Sequence, residues 1–360
     1  MRLSIGIVGL PNVGKSTLFN ALTNAGAVAA NYPFATIEPN TGIVPIPDPR
    51  VDELARLFGS AKRTPATVTF VDIAGLVEGA SRGEGLGNQF LGNIRDVSAI
   101  CHVVRAFDAS NVAHVEDEPN PSRDIEVIET ELAIADLETI DKRLPRLEKE
   151  ATVDRGLAGR VDLLRQLRDV VASGEVVARD QSLMARRAEF ADLHLLTAKP
   201  VIYVFNSDQD VLADETRRKE LASLVEPAEA LFLDAQIEAE LAELAFEDRT
   251  ELLAESEMSE PGLNAVIRAA YATLGLQSFL TGGDKETRAW TIRTGSTAPE
   301  AAGEIHTDFE RGFIAAEVAN YDELIAAGSW QTAKSRGLIR TEGKSYVMQP
   351  DDVVEFRFNV

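Results

Sequence analysis

Apolar positions fall in two rhythms along this chain. Leu3-Ser-Ile-Gly-Ile-Val-Gly9, Thr67-Val-Thr-Phe-Val-Asp72, Ala99-Ile-Cys-His-Val-Val104 and Val201-Ile-Tyr-Val-Phe-Asn206 are short, branched and mostly apolar. Runs of that kind are buried on both faces, which predicts strands of a parallel sheet. Elsewhere the apolar residues return every three or four positions, at Leu18, Ala21 and Leu22 and again through Val51-Asp-Glu-Leu-Ala-Arg-Leu-Phe58. That period predicts amphipathic helices. Together they predict an α/β fold with a doubly wound, mostly parallel sheet.

The alternation is interrupted in three places. Residues 24 to 50 carry Pro33, Pro39, Pro45, Pro47 and Pro49, a density that predicts a loop. From Ile125 to Glu150, apolar residues stand at 125, 128, 132, 134, 137, 140, 144 and 147 with charges between, and Arg160 to Ala198 reads similarly. This predicts an antiparallel helical pair, a coiled-coil arm inserted between two strands. From about 278 the pattern becomes a second, smaller domain. Thr287 to Gly295 alternates like a strand, Gly295 to Gly303 turns into a short helix, Phe313 to Val318 is a strand, and Val347 to Val360 alternates again. The expected division is a discontinuous α/β domain over 1–123 and 199–277, the arm over 124–198, and the C-terminal domain over 278–360.

Composition narrows the function classes. The chain has 360 residues and a formal net charge of −22. That balance opposes nonspecific coating of nucleic acid, and no DNA partner is expected. No apolar run approaches a membrane span, so no membrane partner is expected either. A strand begins within two residues of Met1, which leaves no room for a signal peptide. The single cysteine, Cys101, fits a reducing compartment and reads as a buried core residue. The expected location is the cytoplasm. The four histidines have no spacing typical of a metal site. His102 is expected in a strand, His194 on a helical segment and His306 in the C-terminal domain.

The chemistry starts at Gly9-Leu-Pro-Asn-Val-Gly-Lys-Ser16, which fits G-x-x-x-x-G-K-[ST] between a strand and a helix. The glycines let the backbone curl so that several N–H groups meet one anion, and the helix N-terminus adds its dipole. Asn12, Val13, Gly14, Lys15, Ser16 and Thr17 are the expected phosphate-contacting run. Lys15 reaches the β- and γ-phosphates, and the Ser16 hydroxyl ligates Mg²⁺. Asp72, at the carboxyl end of its strand, is the expected second holder of Mg²⁺, and Gly75 offers its N–H to the γ-phosphate. Thr36, in the proline-rich loop, is the expected switch threonine on Mg²⁺. Four glycines between 79 and 87 make the following segment permissive, as suits a switch. Leu76 occupies the position where Ras-like GTPases place a glutamine to orient water, so another arrangement is required here.

The phosphate loop, Asn31 to Pro39, and the run Asp72-Ile-Ala-Gly-Leu-Val-Glu-Gly-Ala-Ser-Arg-Gly-Glu-Gly-Leu-Gly-Asn-Gln-Phe90 resemble the Obg group of P-loop NTPases. Within it they are similar to the YchF subfamily, the Obg-like ATPases. The resemblance continues at Asp124 to Leu132, at Glu260-Pro-Gly-Leu-Asn264, and from Arg288 to Val360, with only about 150 to 255 loosely matched. It implies slow hydrolysis of ATP with Mg²⁺, K⁺ held at Asn12 in place of an arginine finger, and His114 assisting the water. It also implies that the C-terminal domain is a β-grasp TGS module whose partner is RNA or a ribosomal surface. Arg288, Arg293, Arg311, Lys334, Arg336, Arg340 and Lys344 are candidates for a basic face on it.

The base reader departs from both known patterns. GTPases end this strand in N-K-x-D and the resembling family in N-x-x-E, whereas here Asn206-Ser-Asp-Gln209 stands there. Asn206, Ser207, Gln209 and the backbone N–H of Ala235 are the expected base contacts. Glutamine both donates and accepts, so Gln209 matches the N6 amine and N1 of adenine. Two alternatives stay open. One is a GTPase or dual ATP/GTP hydrolase. The other is a nucleotide-gated ribosome-binding module in which hydrolysis only resets the state.

Overall fold

A computed structural model describes residues 3–29, 40–73, 86–107, 120–244, 248, 253 and 260–359. The chain divides into two compact units, Met1–Val44 with Thr69–Leu274, and Pro45–Val68 with Gly275–Val360.

The first unit is built on a six-stranded sheet in the order β2-β4-β1-β5-β6-β7. Its strands are β1 (Ser4–Val8), β2 (Thr41–Pro45), β4 (Thr67–Asp72), β5 (Ala99–Ala106), β6 (Val201–Ser207) and β7 (Glu229–Leu233). β1 runs parallel to both β4 and β5, β5 to β6, and β6 to β7. Every residue of β1 is buried, which is why its apolar run is unbroken. After β1 the chain fills one side of the sheet with β2 and β4, then crosses to β5 on the other. That reversal opens a crevice at the carboxyl ends of the strands, where ligands of such sheets bind. Helix α1 (Lys15–Ala29) leaves that edge with Leu18, Ala21 and Leu22 buried.

The inserted segment opens with α4 (Pro121–Val153), a helix of 33 residues whose first turn is capped by the Asn120 side chain accepting from the Arg123 N–H. It is answered by α5 (Ala158–Ala172). Arg168 pairs with Asp141 at 2.7 Å and Arg165 with Glu148 at 2.8 Å. Ascending numbers on one helix thus meet descending numbers on the other, so the two are antiparallel. Ile140 and Leu147 pack with Val161, Leu163, Leu164 and Leu167. The return is shorter than the sequence pattern suggested. α5 stops at Ala172, before Ser173 and a left-handed Gly174, and short turns follow. Those turns carry Phe190, Leu193 and Leu195 onto the same core, so their apolar spacing serves packing without a continuous helix. His194 is not helical; it follows one such turn in the left-handed region. The segment is tied to its base by Asp136, whose buried carboxylate accepts from the N–H groups of Leu196 and Thr197 and from the Thr197 hydroxyl.

The second unit is a mixed sheet in the order β11-β10-β12-β8-β9-β3. It comprises β8 (Leu276–Thr281), β9 (Glu286–Arg293), β10 (Phe313–Asn320), β11 (Arg340–Glu342) and β12 (Asp352–Phe358), with β3 (Lys62–Thr64) at its edge. Its core gathers Phe279, Ile292, Ala298, Ala302, Val318 and Val354. The division differs from the sequence reading in three respects: the arm over 124–198 belongs to the first unit, the later boundary falls after Leu274 rather than 277, and an earlier segment changes sides. Residues 45–68, read as part of the nucleotide domain, belong with the C-terminal residues. β3 pairs in parallel with β9, and the Ser60 hydroxyl donates to the Gly283 carbonyl at 2.7 Å. Arg50, in α2 (Pro49–Phe58), holds Asp48 and reaches Asp351, while the Tyr321 hydroxyl donates to Glu53. Local periodicity correctly marks α2 as amphipathic but is silent about which sheet it covers.

The basic residues suggested for a C-terminal face are partly neutralised. Lys334 pairs with Glu317, Arg340 stands near Asp352 and Glu342, and Arg288 lies over the Trp290 ring at 3.9 Å.

Candidate functional site

The carboxyl ends of β1, β4 and β6 bring the sequence motifs to one edge. Residues 9–14 link β1 to α1, and the Leu18 N–H closes on the Gly14 carbonyl. Two glycines in this loop are sterically required. A Cβ on Gly9 would stand 2.7 Å from the Val103 carbonyl oxygen. Gly14 has φ +91, and a Cβ there would stand 2.2 Å from the Asn206 amide nitrogen. Asn12 also takes the left-handed region, at φ 61. Curling of this sort turns successive backbone N–H groups toward one concavity, which suits an anion.

Lys15 is the first residue of α1 and Asp72 the last of β4. The register Ile7↔Asp72 sets the aspartate beside the strand that feeds the loop. The ammonium meets the carboxylate at 2.5 Å, with the side chains 11% and 20% exposed. The strongest cation and anion of the site are therefore already held against each other. Ser16 follows Lys15 and is exposed.

Asn206 does something the sequence did not reveal. It is buried at the end of β6, donates through Nδ2 to the Val13 carbonyl at 2.9 Å, and accepts through Oδ1 from the Ala235 N–H at 2.9 Å. One amide thus fastens the phosphate loop to the start of α9 (Ala235–Glu243). The consequence corrects the expectation for Ala235, because its N–H is spent on Asn206 rather than directed at a base. Ser207 is also turned inward, with its hydroxyl donating to the Phe205 carbonyl. Asp208 caps the helix α7 (Gln209–Ala213) by accepting from the Val211 N–H. Gln209 opens that helix and is exposed. The only signal for the Asn206 role was its place, a small amide closing a wholly apolar run.

The structure thus brings together Asn12, Val13, Gly14, Lys15, Ser16 and Thr17 with Asp72 and Asn206. Thr36, Gly75, Leu76 and His114 lie outside the described residues. The cluster Asn206, Ser207, Gln209 and Ala235 is local, but only Gln209 among the four presents an exposed side chain. Cys101 sits in the core of β5, as the apolar run suggested, and His102, expected in that strand, is buried there too. Burial holds the His102 imidazole down to about 3 and pushes the Cys101 thiol up to about 12, so neither has reactive character.

Among the described residues, no group of three or more His, Cys, Asp or Glu side chains could hold a metal ion by itself. The oxygen set that does exist, the Ser16 hydroxyl and the Asp72 carboxylate, is hard and sparse. It fits Mg²⁺, which keeps several waters and is bound by one or two protein oxygens together with phosphate. Chemically, the edge can take a polyphosphate, place a lysine on it and share a divalent ion with it.

The chain is similar to known proteins along its whole length. A family model described as a 50S ribosome-binding GTPase matches residues 4–134. A second, the C-terminal family of YchF GTPases, described as a protein of unknown function, matches residues 276–359. The chain is 48% identical to the "Ribosome-binding ATPase YchF" of Bacillus subtilis and 49% identical to that of Escherichia coli O157:H7, each over the whole of both chains. It is 41% identical to "Obg-like ATPase 1" of Pongo abelii over 99% of this chain and 92% of that one. The solved structure of the Schizosaccharomyces pombe YchF GTPase covers 99% of this chain and 98% of its own, with 36% identity and a TM-score of 0.88.

Proposed function

This chain belongs to the YchF family, and on that premise we propose that it is a nucleotide switch that binds and slowly hydrolyses ATP to ADP and phosphate and docks on the ribosome. The observation that carries the reading is the Lys15–Asp72 pair beside the curled loop. A bound triphosphate gives Lys15 phosphate oxygens in exchange for Asp72 and so frees the carboxylate. Ser16 and Asp72, with Thr36, would hold Mg²⁺, which would supply positive charge to the phosphate oxygens. Asn12 would hold K⁺, which would supply the charge that an arginine finger supplies elsewhere. The Gly75 N–H meets the γ-phosphate, and His114 orients the water that Leu76 cannot. Hydrolysis then returns Asp72 to Lys15 and resets the switch.

Preference for ATP rests on the missing guanine reader and on the names of the relatives, several of which are called ATPases. Gln209 is neutral and exposed at the start of α7, and this favours a second reading, in which ATP and GTP are both accepted. The ribosome enters from the relatives named ribosome-binding, and with it a cytoplasmic location. The inserted helical pair reads as a coiled-coil arm and the sheet around β9 as a TGS domain.

Equilibrium titration with fluorescent ATP and GTP analogues, each with Mg²⁺ and K⁺, tests the base reading. A tenfold preference for ATP, about 1.4 kcal/mol, supports the ATPase. Equal affinities make the protein a dual hydrolase, and a preference for GTP overturns the assignment of Gln209. A hydrolysis rate in Na⁺ equal to that in K⁺ removes the role given to Asn12.

A further inference from the structure

We infer that the distal end of the inserted helical pair, around Arg146, Lys149, Val153 and Arg155, is a docking surface for the phosphate backbone of RNA. The inference rests on the ribosome reading above and names the part of this chain that makes the contact.

The charge balance at this end is opposite to that of the chain. Residues 142–160 carry six basic and three acidic side chains, within a chain of 36 basic and 58 acidic residues. The acids are already engaged. Glu150 takes both guanidinium nitrogens of Arg143, at 3.0 and 3.1 Å. Glu148 pairs with Arg165 from α5. Asp154 closes the turn after α4 by accepting from the Gly156 N–H at 2.9 Å. Arg160 is held by Asp192 at 2.6 Å. Arg146, Lys149 and Arg155 are exposed and form no ion pair among the described residues. Their charge is therefore available to a ligand.

Geometry gathers these groups. Arg146, Lys149 and Val153 are spaced three and four apart, so they share one face of α4, and Arg155 follows directly after the cap. Val153 is 90% exposed, more than any other exposed large apolar side chain among the described residues. An apolar knob amid cations, with no apolar neighbourhood to fill a protein pocket, suits a ribose or an unstacked base beside the phosphates.

The length of α4 explains why such a surface works on an acidic protein. At about 1.5 Å per residue, its 33 residues place Val153 roughly 50 Å along the axis from Asn120. Screening at physiological salt acts over about 8 Å. The polyanion thus meets the basic end several screening lengths from the base of α4. The C-terminal unit is less suited, because Lys334 and Arg340 are matched with carboxylates there.

The test uses the full chain, purified ribosomes and protein-free ribosomal RNA. The triple variant Arg146→Glu, Lys149→Glu, Arg155→Glu is compared with wild type, alongside the triple glutamine variant, which keeps helix-favouring side chains. Both are first checked for unchanged ATP-analogue affinity. The expected result is at least tenfold weaker binding to both probes for the glutamate variant, with a smaller loss for the glutamine variant. The slope of log affinity against log salt should become shallower by about two to three, at 0.7 to 0.9 per phosphate contact. Val153→Ser alone, which adds no charge, should weaken binding without flattening that slope. Variants that bind ribosomes as wild type does overturn this inference and leave the ribosome reading standing. Wild type that binds ribosomes but not free RNA, with the variants losing ribosomes, overturns the RNA assignment in favour of an acidic protein surface. Wild type that ignores ribosomes in every nucleotide state overturns the ribosome reading, and if it also ignores free RNA this inference falls with it.

Discussion

Lys15 Nζ lies 2.5 Å from Asp72 Oδ1, so the lysine that closes the phosphate loop and the aspartate that ends β4 form one ion pair. The pair joins the two motifs across the β1–β4 register. It gives the site a defined arrangement from which Lys15 can be drawn by a stronger anion.

Lys15→Ala should therefore act on binding first. Loss of charge-assisted contacts to phosphate should weaken ATP by about a hundredfold, or about 2.7 kcal/mol. Asp72→Ala should instead spare most of the affinity and lower the hydrolysis rate by at least about tenfold, because its oxygen is expected to help place the divalent ion. Fluorescent-analogue titration and phosphate release separate the two. Equal losses in both assays for both variants would show that the pair acts as a unit.

Asn206→Ala should destabilise the protein and loosen nucleotide binding together. It leaves the Val13 carbonyl and the buried Ala235 N–H without their shared partner. An unsatisfied buried polar group costs about 1–3 kcal/mol. Asn206→Asp should recover the Ala235 contact but set a carboxylate against the Val13 carbonyl, so it should melt below wild type. Thermal melts with and without ATP check the order wild type, then Asp, then Ala. An alanine variant as stable as wild type would mean that the loop is not fastened there.

Gln209→Asp should shift base selectivity toward guanine. A carboxylate at the start of α7 accepts from two guanine N–H groups, whereas adenine offers only its amine on that edge. The expected readout is a rise of at least about tenfold in the GTP-to-ATP affinity ratio, measured by the same titration. No change in the ratio would place the base away from the first turn of α7.

Acid stability should carry the mark of His102. Its imidazole is buried and held down to about 3, from an ordinary 6.5, first by burial and then by the nearby Arg179 charge. Below pH 6.5 the unfolded chain binds a proton that the folded chain refuses. Stability from this group is thus complete above 6.5 and is lost as the pH falls toward 3, by about 1.4 kcal/mol per unit. Denaturant melts between about pH 6.5 and 5 should show wild type losing about 2 kcal/mol, with His102→Leu losing much less. Parallel pH profiles for the two proteins would dismiss His102 as the cause.

Sequence alone determined the phosphate loop and the apolar strands of the sheet around it. Those features are written locally. A strand buried on both faces must be apolar throughout, and a loop that wraps an anion must carry its glycines and lysine within eight residues. The core position of Cys101 and the strand position of His102 followed for the same reason. Three things were decided only in three dimensions. Asn206 and Val13 are 193 residues apart, and their bond exists because β6 ends beside the loop. β3 joins β9 across more than 200 residues, which groups 45–68 with the C-terminal residues. The return from α4 ends at Ala172 although apolar spacing continues, because turns can bury Phe190 and Leu193 as well as a helix can. Periodicity states that a residue is buried. Which backbone groups remain to be satisfied, and by whom, is settled only when distant segments meet.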